Sequence, residues 1–441
     1  MNYLKNIIPV VAFFTLHVSY LAAQPLSLKF DQIGLEQGLS QSTVNAIVQD
    51  AQGFMWFGTQ DGLNRFDGYS ITIFKHDPSD PTSIADNAIR CLLDDRNGDL
   101  WIGTEHAGLN RYVISEDRFY HYQHDEDDST TMSDNYVTAL FEDSNADIWI
   151  GTRNKGLNRY NRATETFTRF VRDDEDTASL SSNHVWAICE DRSRNLWIAT
   201  SQGLSKLKLD GQGVVSDASH FVRYHHIPSH PTSLSGDNIR VLYVDRRRTL
   251  WIGTQGGGLN RFDEKTNTFK RYLHNARDPR STPSNFIWSI YEDSRGFLWT
   301  ATYDAGLSMF DARTETFVQC TQDEVVTIYK DQSGILWLGT FASGVKMYDQ
   351  RKNWFKHYFE DPNTVSGNVV FAILEDRDGE LWVGTYGNGL KRYARSNRIG
   401  DRRLITTYIF DPKNQNSLSN DKVISLCESF DGSIWVGILY P

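Results

Sequence analysis

The chain has 441 residues, which suits about three ordinary domains or one or two large all-β ones, and its 39 % hydrophobic share supplies ample core material. A net charge of −11 leaves no diffuse basic field and excludes a nucleic-acid-binding role. Aromatic residues reach 13 %, with 12 tryptophans that organise most of the sequence.

The first 23 residues stand apart. Lys5 gives a short positive start, Ile7 to Leu16 form an apolar run, and Leu21-Ala22-Ala23 offers a cleavage site before Gln24. The pattern predicts a secretory signal peptide over 1–23 and an exported mature chain, with an uncleaved N-terminal anchor as the alternative. No other stretch approaches the length of a membrane-spanning helix.

From there the chain repeats. Trp56, Trp101, Trp149, Trp197, Trp251, Trp299, Trp337, Trp382 and Trp435 each open a Trp-x-Gly/Ala unit, at spacings of 38 to 54 residues. Nine copies at that period predict a propeller. Each unit begins with an apolar alternating run, such as Val185 to Cys189. An aspartate stands six residues before the tryptophan in eight copies: Asp50, Asp95, Asp143, Asp191, Asp245, Asp293, Asp331 and Asp376. A turn with glycine at 53, 98, 296, 334, 379 or 432 follows, and the aspartate is placed to accept its N–H groups. The second strand is Leu-Trp-Ile-Gly-Thr-like, the third Gly-Leu-Asn-Arg-Tyr-like (156–160, 258–262), and the fourth carries Phe167 to Phe170 or Phe269 to Tyr272. Gly or Ala two residues after the tryptophan lets backbones approach closely. Helical periodicity is absent from the mature chain.

The fold class predicted is all-β: a β-propeller of four-stranded blades. Leu28-Lys29-Phe30 reads as a fourth strand ahead of the first blade, able to close a ring on the blade of Trp337. Residues 24–350 then form one complete seven-bladed ring. Residues 351–441 begin a second, incomplete ring, with Trp354 to Tyr358 as its displaced closing strand. A single ring of eight or nine blades is the rival arrangement. Cys91, Cys189, Cys320 and Cys427 fall in different units and are expected to be buried free thiols.

The run LWIGT followed by GLNRY, with an Asp-x-x-Gly turn upstream, resembles the two-component regulator propeller repeat over about residues 28 to 437. The resemblance implies an extracytoplasmic sensor region that, in an intact parent, leads to a membrane helix and a histidine kinase or diguanylate cyclase. The ninth unit departs from the pattern: Ile438 replaces the threonine and the third and fourth strands are missing. The chain is therefore expected to be a truncated sensor portion, with no catalytic residue or cofactor of its own and no kinase or cyclase motif. Membrane contact would come only through a missing C-terminal helix or an uncleaved signal.

A ligand site is predicted at the ring's mouth. The residue eleven before each tryptophan varies (Asn45, Arg90, Thr138, Trp186, Arg240, Trp288, Val326, Phe371, Ile424), while the neighbour before it is always Val or Ile. The loop after Trp-x-Gly-Thr shares that face and also varies, offering Arg153, Lys155 and Tyr303. Together Arg90, Arg153, Lys155, Trp186, Arg240, Trp288 and Tyr303 combine aromatic faces with cationic forks, suited to a sugar ring, a carboxylate or a sulfate. The bland alternative is a solvated mouth with the two tryptophans packed on adjacent loops. The partner expected is a small molecule, an oligosaccharide or an anionic compound, with homodimerisation of the intact parent.

Weaker candidates are His220, His225, His226 and His230 as a metal cluster, against a variable surface loop, and Asp125, Asp127 and Asp128 as a calcium loop lacking EF-hand spacing. A protein-interaction scaffold and a propeller lyase using His106 beside Glu105 are the competing functions.

Overall fold

The computed structural model describes residues 28, 30–208, 220–349, 369–395 and 404–439. The signal segment 1–23 and the strand expected at 354–358 lie outside the described residues. Two compact units divide the chain, 1–348 and 349–441.

Seven four-stranded antiparallel sheets make up the first unit. Blade 3 shows the plan: strand A Val137–Glu142, strand B Ile148–Thr152, strand C Leu157–Asn161 and strand D Thr166–Phe170, paired in that order. Strand B is buried along its whole length because it lies between two sheets, so both faces of Ile-Trp-Ile-Gly-Thr meet protein. Strand D, the outer one, keeps one face in solvent.

The blades pack through the tryptophans. Trp56 meets Tyr112 of the next blade at 5.6 Å, Trp101 meets Tyr160 at 5.2 Å, and Trp251 meets Phe310 at 5.5 Å, near edge-to-face. Trp337 of the seventh blade makes the same contact with Phe66 of the first at 6.1 Å. Gly151 faces the next blade so closely that a Cβ would lie 2.6 Å from Val185 Cγ1. The closing strand is Asp31–Ile33, which pairs with Val345–Tyr348. This corrects the expected strand at 28–30: Phe30 instead packs on Tyr348 at 5.6 Å, so its aromatic ring, not its backbone, serves the seventh blade.

The aspartate of each unit does more than hold the A–B turn. In blade 3, Asp143 Oδ1 accepts the N–H groups of Asn145 and Asp147, and Oδ2 accepts the Trp149 indole N–H at 2.8 Å. All eight aspartates take their tryptophan's indole N–H, at 2.7 to 3.3 Å. The turn's fourth residue has positive φ throughout: 84° at Gly98, and 66°, 61° and 67° at Ala146, Arg194 and Arg248.

In four of the seven blades the last residue of strand A ties the blade to the one before. Glu142, Glu190 and Glu292 accept the backbone N–H groups of Arg96, Ser144 and Arg246, and Gln49 accepts that of Gln332, which closes the ring. Asp94 holds this place in blade 2, is one methylene shorter, and leaves its buried Oδ1 without a partner. Burial, then the charges of Asp50, Asp95, Glu142 and Asp99, push its pKa up to about 6. The native chain therefore keeps this proton where the unfolded chain has lost it, and stability falls as pH rises from about 4 to about 6. Asp94→Asn is expected to be more stable than the parent at pH 7, with the gain vanishing towards pH 4. Urea midpoints of both proteins across that range test it; a gain independent of pH would contradict it.

In the second unit, strands Val370–Glu375, Leu381–Thr385, Leu390–Tyr393 and Leu404–Tyr408 form one sheet, and Val423–Glu428 pairs with Ile434–Ile438. All four cysteines are free, but only Cys189 is buried, Cys91 and Cys320 are half-buried, and Cys427 is exposed, contrary to expectation. Its place on a two-stranded hairpin leaves it uncovered on one side. Among the described residues no helix is long and apolar enough to cross a membrane.

Candidate functional site

The variable position of strand A has a structural cause. In every unit the A–B register slips at that residue, as between Val137 and Ala139, Val185 and Ala187, Ile239 and Val241, or Ile287 and Ser289. The skipped residue is a β-bulge, which bends the strand and re-aims a side chain out of the ladder. Its partners in the sheet no longer dictate its type, which explains why it varies while the residue before it is Val or Ile in every copy.

In the first unit all seven bulge residues converge. Asn45, Arg90, Thr138, Trp186, Arg240, Trp288 and Val326 line one cavity of about 280 Å³. Gln60 and Phe341, the first residues after Trp-x-Gly-Thr in blades 1 and 7, complete its wall. The loops are held to this face by backbone bonds, such as Arg153 N–H to Tyr136 O and Tyr303 N–H to Phe286 O.

A ladder of planar groups from blades 4, 5 and 6 forms one side. His184 lies 4.1 Å from Trp186; the Arg240 guanidinium sits over Trp186 at 3.7 Å and over Trp288 at 5.0 Å; Tyr303 covers Trp288 at 4.7 Å. Each indole thus meets two protein groups, and among the described residues their buried N–H groups have no hydrogen-bond partner. Burial, with Arg153 and Arg240 adding, pushes His184 down to about 4, so its ring is neutral at pH 7. Burial followed by the charge of Arg90 pushes Arg240 down to about 10, where it stays protonated at neutral pH.

The opposite side is balanced. Arg90 pairs with Glu105 at 3.3 Å, Tyr136 donates its hydroxyl to Glu105 at 3.1 Å, and Arg153 stacks over Tyr136 at 4.8 Å. Asn45 and Thr138 are turned to the carbonyls of Ile89 and Val185 in the neighbouring blades.

Of the seven residues predicted from sequence, the structure brings Arg90, Trp186, Arg240 and Trp288 into the cavity wall, and Tyr303 against Trp288. Arg153 reaches the site through Tyr136, and Lys155 is exposed on the loop without lining the cavity. Gln60 and Phe341 were missed, although their place after Trp-x-Gly-Thr marked them. His106 pairs with Asp86 at 3.2 Å and Glu105 with Arg90, so the two do not form the acid–base pair a lyase would need. His226 bonds the Leu234 carbonyl through Nδ1, and His230 meets Ser229. Asp125 and Asp128 accept backbone N–H groups of Asp127 and Thr130 in their own loop.

A ring of four-stranded blades around a cavity lined by strand-A residues is a β-propeller. Seven segments, 38–61, 83–106, 131–154, 179–202, 233–256, 281–304 and 364–387, match the model of the two component regulator propeller. The chain belongs to this family. Among solved structures it is similar to the extracellular domain of a hybrid two component system, BT3049 of B. thetaiotaomicron, at 28 % identity and TM-score 0.65, over 93 % of this chain and 52 % of that one. It is also similar to a streptogramin B lyase, at 16 % identity and TM-score 0.53, over 73 % of this chain and 96 % of that one, a likeness of fold alone. Histidine kinase P4 of Formosa agariphila is 42 % identical over 80 residues, 18 % of this chain and 6 % of the kinase. The chain thus spans about half of the solved relative and matches a small part of the curated one. The resemblance to extracellular domains of two-component systems makes this a sensor propeller.

Proposed function

We propose that the chain is the extracytoplasmic, ligand-sensing part of a transmembrane signalling receptor, with residues 24–350 as a complete ring and the chain from 351 as the start of a second. Its ligand is a small molecule, an oligosaccharide or an anionic compound, bound at the ring's mouth near Arg90, Arg153, Lys155, Trp186, Arg240, Trp288 and Tyr303. The observation that carries this is the convergence of seven bulge residues, the positions freest to vary, on one cavity. A scaffold needs its bulges only for curvature; chemistry as different as Arg, Trp and Thr at one repeated position points to recognition.

The test is a thermal-shift screen of oligosaccharides and small anions with the full chain, followed by calorimetry. Arg90→Ala combined with Arg240→Ala is expected to weaken a proven ligand at least tenfold. Unchanged affinity would place the ligand on another surface.

A further inference from the structure

Arg240 is singular among the cations of the mouth. Arg90 is met by Glu105, and Arg153 lies on the open loop against Tyr136. Arg240 has no hydrogen bond or ion pair among the described residues; its contacts are the two indole faces, and the charge beside it is the like charge of Arg90. Its Cζ lies 3.7 Å from the Trp186 ring and 5.0 Å from the Trp288 ring, and a guanidinium directs its N–H donors within its own plane. Among the described residues nothing uses them, yet the group lines a cavity.

The ladder also removes an alternative. Trp186 already stacks with His184 and Arg240, and Trp288 with Arg240 and Tyr303, so both indoles are engaged by protein groups. What the opening still offers is one cation's edge. Its volume of about 280 Å³ falls just below the range of pockets that enclose a whole drug-sized ligand, and so suits one end of a molecule.

We propose that this opening is a subsite for a single carboxylate, received by the in-plane N–H edge of Arg240; the proposal rests on the mouth being the ligand site. A carboxylate is flat, and its two oxygens match the guanidinium fork in the plane that the indoles leave open. A sulfate or sulfonate places an oxygen out of that plane, where the rings stand.

The probe is acetate, with methanesulfonate and chloride as comparisons at constant ionic strength, titrated into the full chain while the arginine Nε–H resonances are followed by NMR. Arg240→Gln identifies the resonance. Arg240→Lys keeps the charge and the packing stem but loses the fork, so it serves where the glutamine variant does not fold. A saturable acetate shift is expected, at least fivefold tighter than for methanesulfonate, and weakened at least fivefold in Arg240→Lys. An acetate response no different from chloride, or methanesulfonate binding as tightly as acetate, overturns the carboxylate assignment. The mouth itself is judged separately. A ligand whose binding is lost in Trp288→Ala but unchanged in Arg240→Lys would leave the mouth as the site and remove its carboxylate.

Discussion

Asp143→Ala is expected to lower stability by about 4 kcal/mol, roughly 6 °C in melting temperature. The carboxylate is 1 % exposed and accepts three hydrogen bonds, two from turn N–H groups and one from the Trp149 indole. Hydrogen bonds to a charged acceptor contribute about 1.5–3 kcal/mol each, and a buried donor left without a partner costs its full desolvation. Water cannot replace the acceptor at the indole, because Trp149 is fully buried. Asp263→Ala is the matched control. Asp263 likewise accepts a backbone N–H two residues on, from Lys265, but on the exposed surface, so its loss is expected to cost less than about 1 kcal/mol. Chemical denaturation of the two variants separates the contributions. Equal losses would mean that the turn, and not the indole bond, is what the aspartate serves.

The repeat was legible because every blade solves the same packing problem with the same residues: a tryptophan to fill the interblade layer, a small residue where strands nearly touch, an aspartate at the turn. The aspartate's second role was not legible. Six residues separate Asp143 from Trp149, and only the hairpin register brings Oδ2 to the indole. Register also hid the bulge. Sequence showed that position 240 and its sisters vary, but a one-residue slip in pairing leaves no mark of its own. The closing strand was misplaced because Phe30 imitates the aromatic of a fourth strand, whereas Asp31–Ile33 is too short to carry a pattern. The site was half legible for a related reason. The bulge residues sit at one repeat position and Tyr303 follows Trp-x-Ala-Thr, so these could be read, but His184, which lies against Trp186, carries no repeat signal of its own. The one contact that joins blades, Arg240 between Trp186 and Trp288, cannot be read along the chain.

Arg240→Met is expected to make the first unit more stable, by about 1–2 kcal/mol, while abolishing the acetate response. Two effects oppose each other here. The guanidinium gains attraction from Trp186 and Trp288, about 0.5–2 kcal/mol for each ring. Against that stand its burial without an acid partner and the like charge of Arg90, which together bring its pKa from the usual value down to about 10. A base with a depressed folded pKa weakens the native state at every pH below that value, so the penalty is fully present at neutral pH. Methionine ends near the position of the arginine Nε, so it keeps the packing of the stem and offers a sulfur–aromatic contact without any charge to desolvate. Removing an unpaired cation while retaining the packing therefore leaves a net gain. The sign of the change is what discriminates. A cation kept only to glue the ladder together would make the methionine variant less stable, whereas a cation kept for an anionic ligand is a cost the empty ring bears. Equilibrium unfolding of the parent and the variant at pH 7, each with and without acetate, reads both quantities. Acetate is expected to stabilise the parent alone and to narrow the gap between the two proteins.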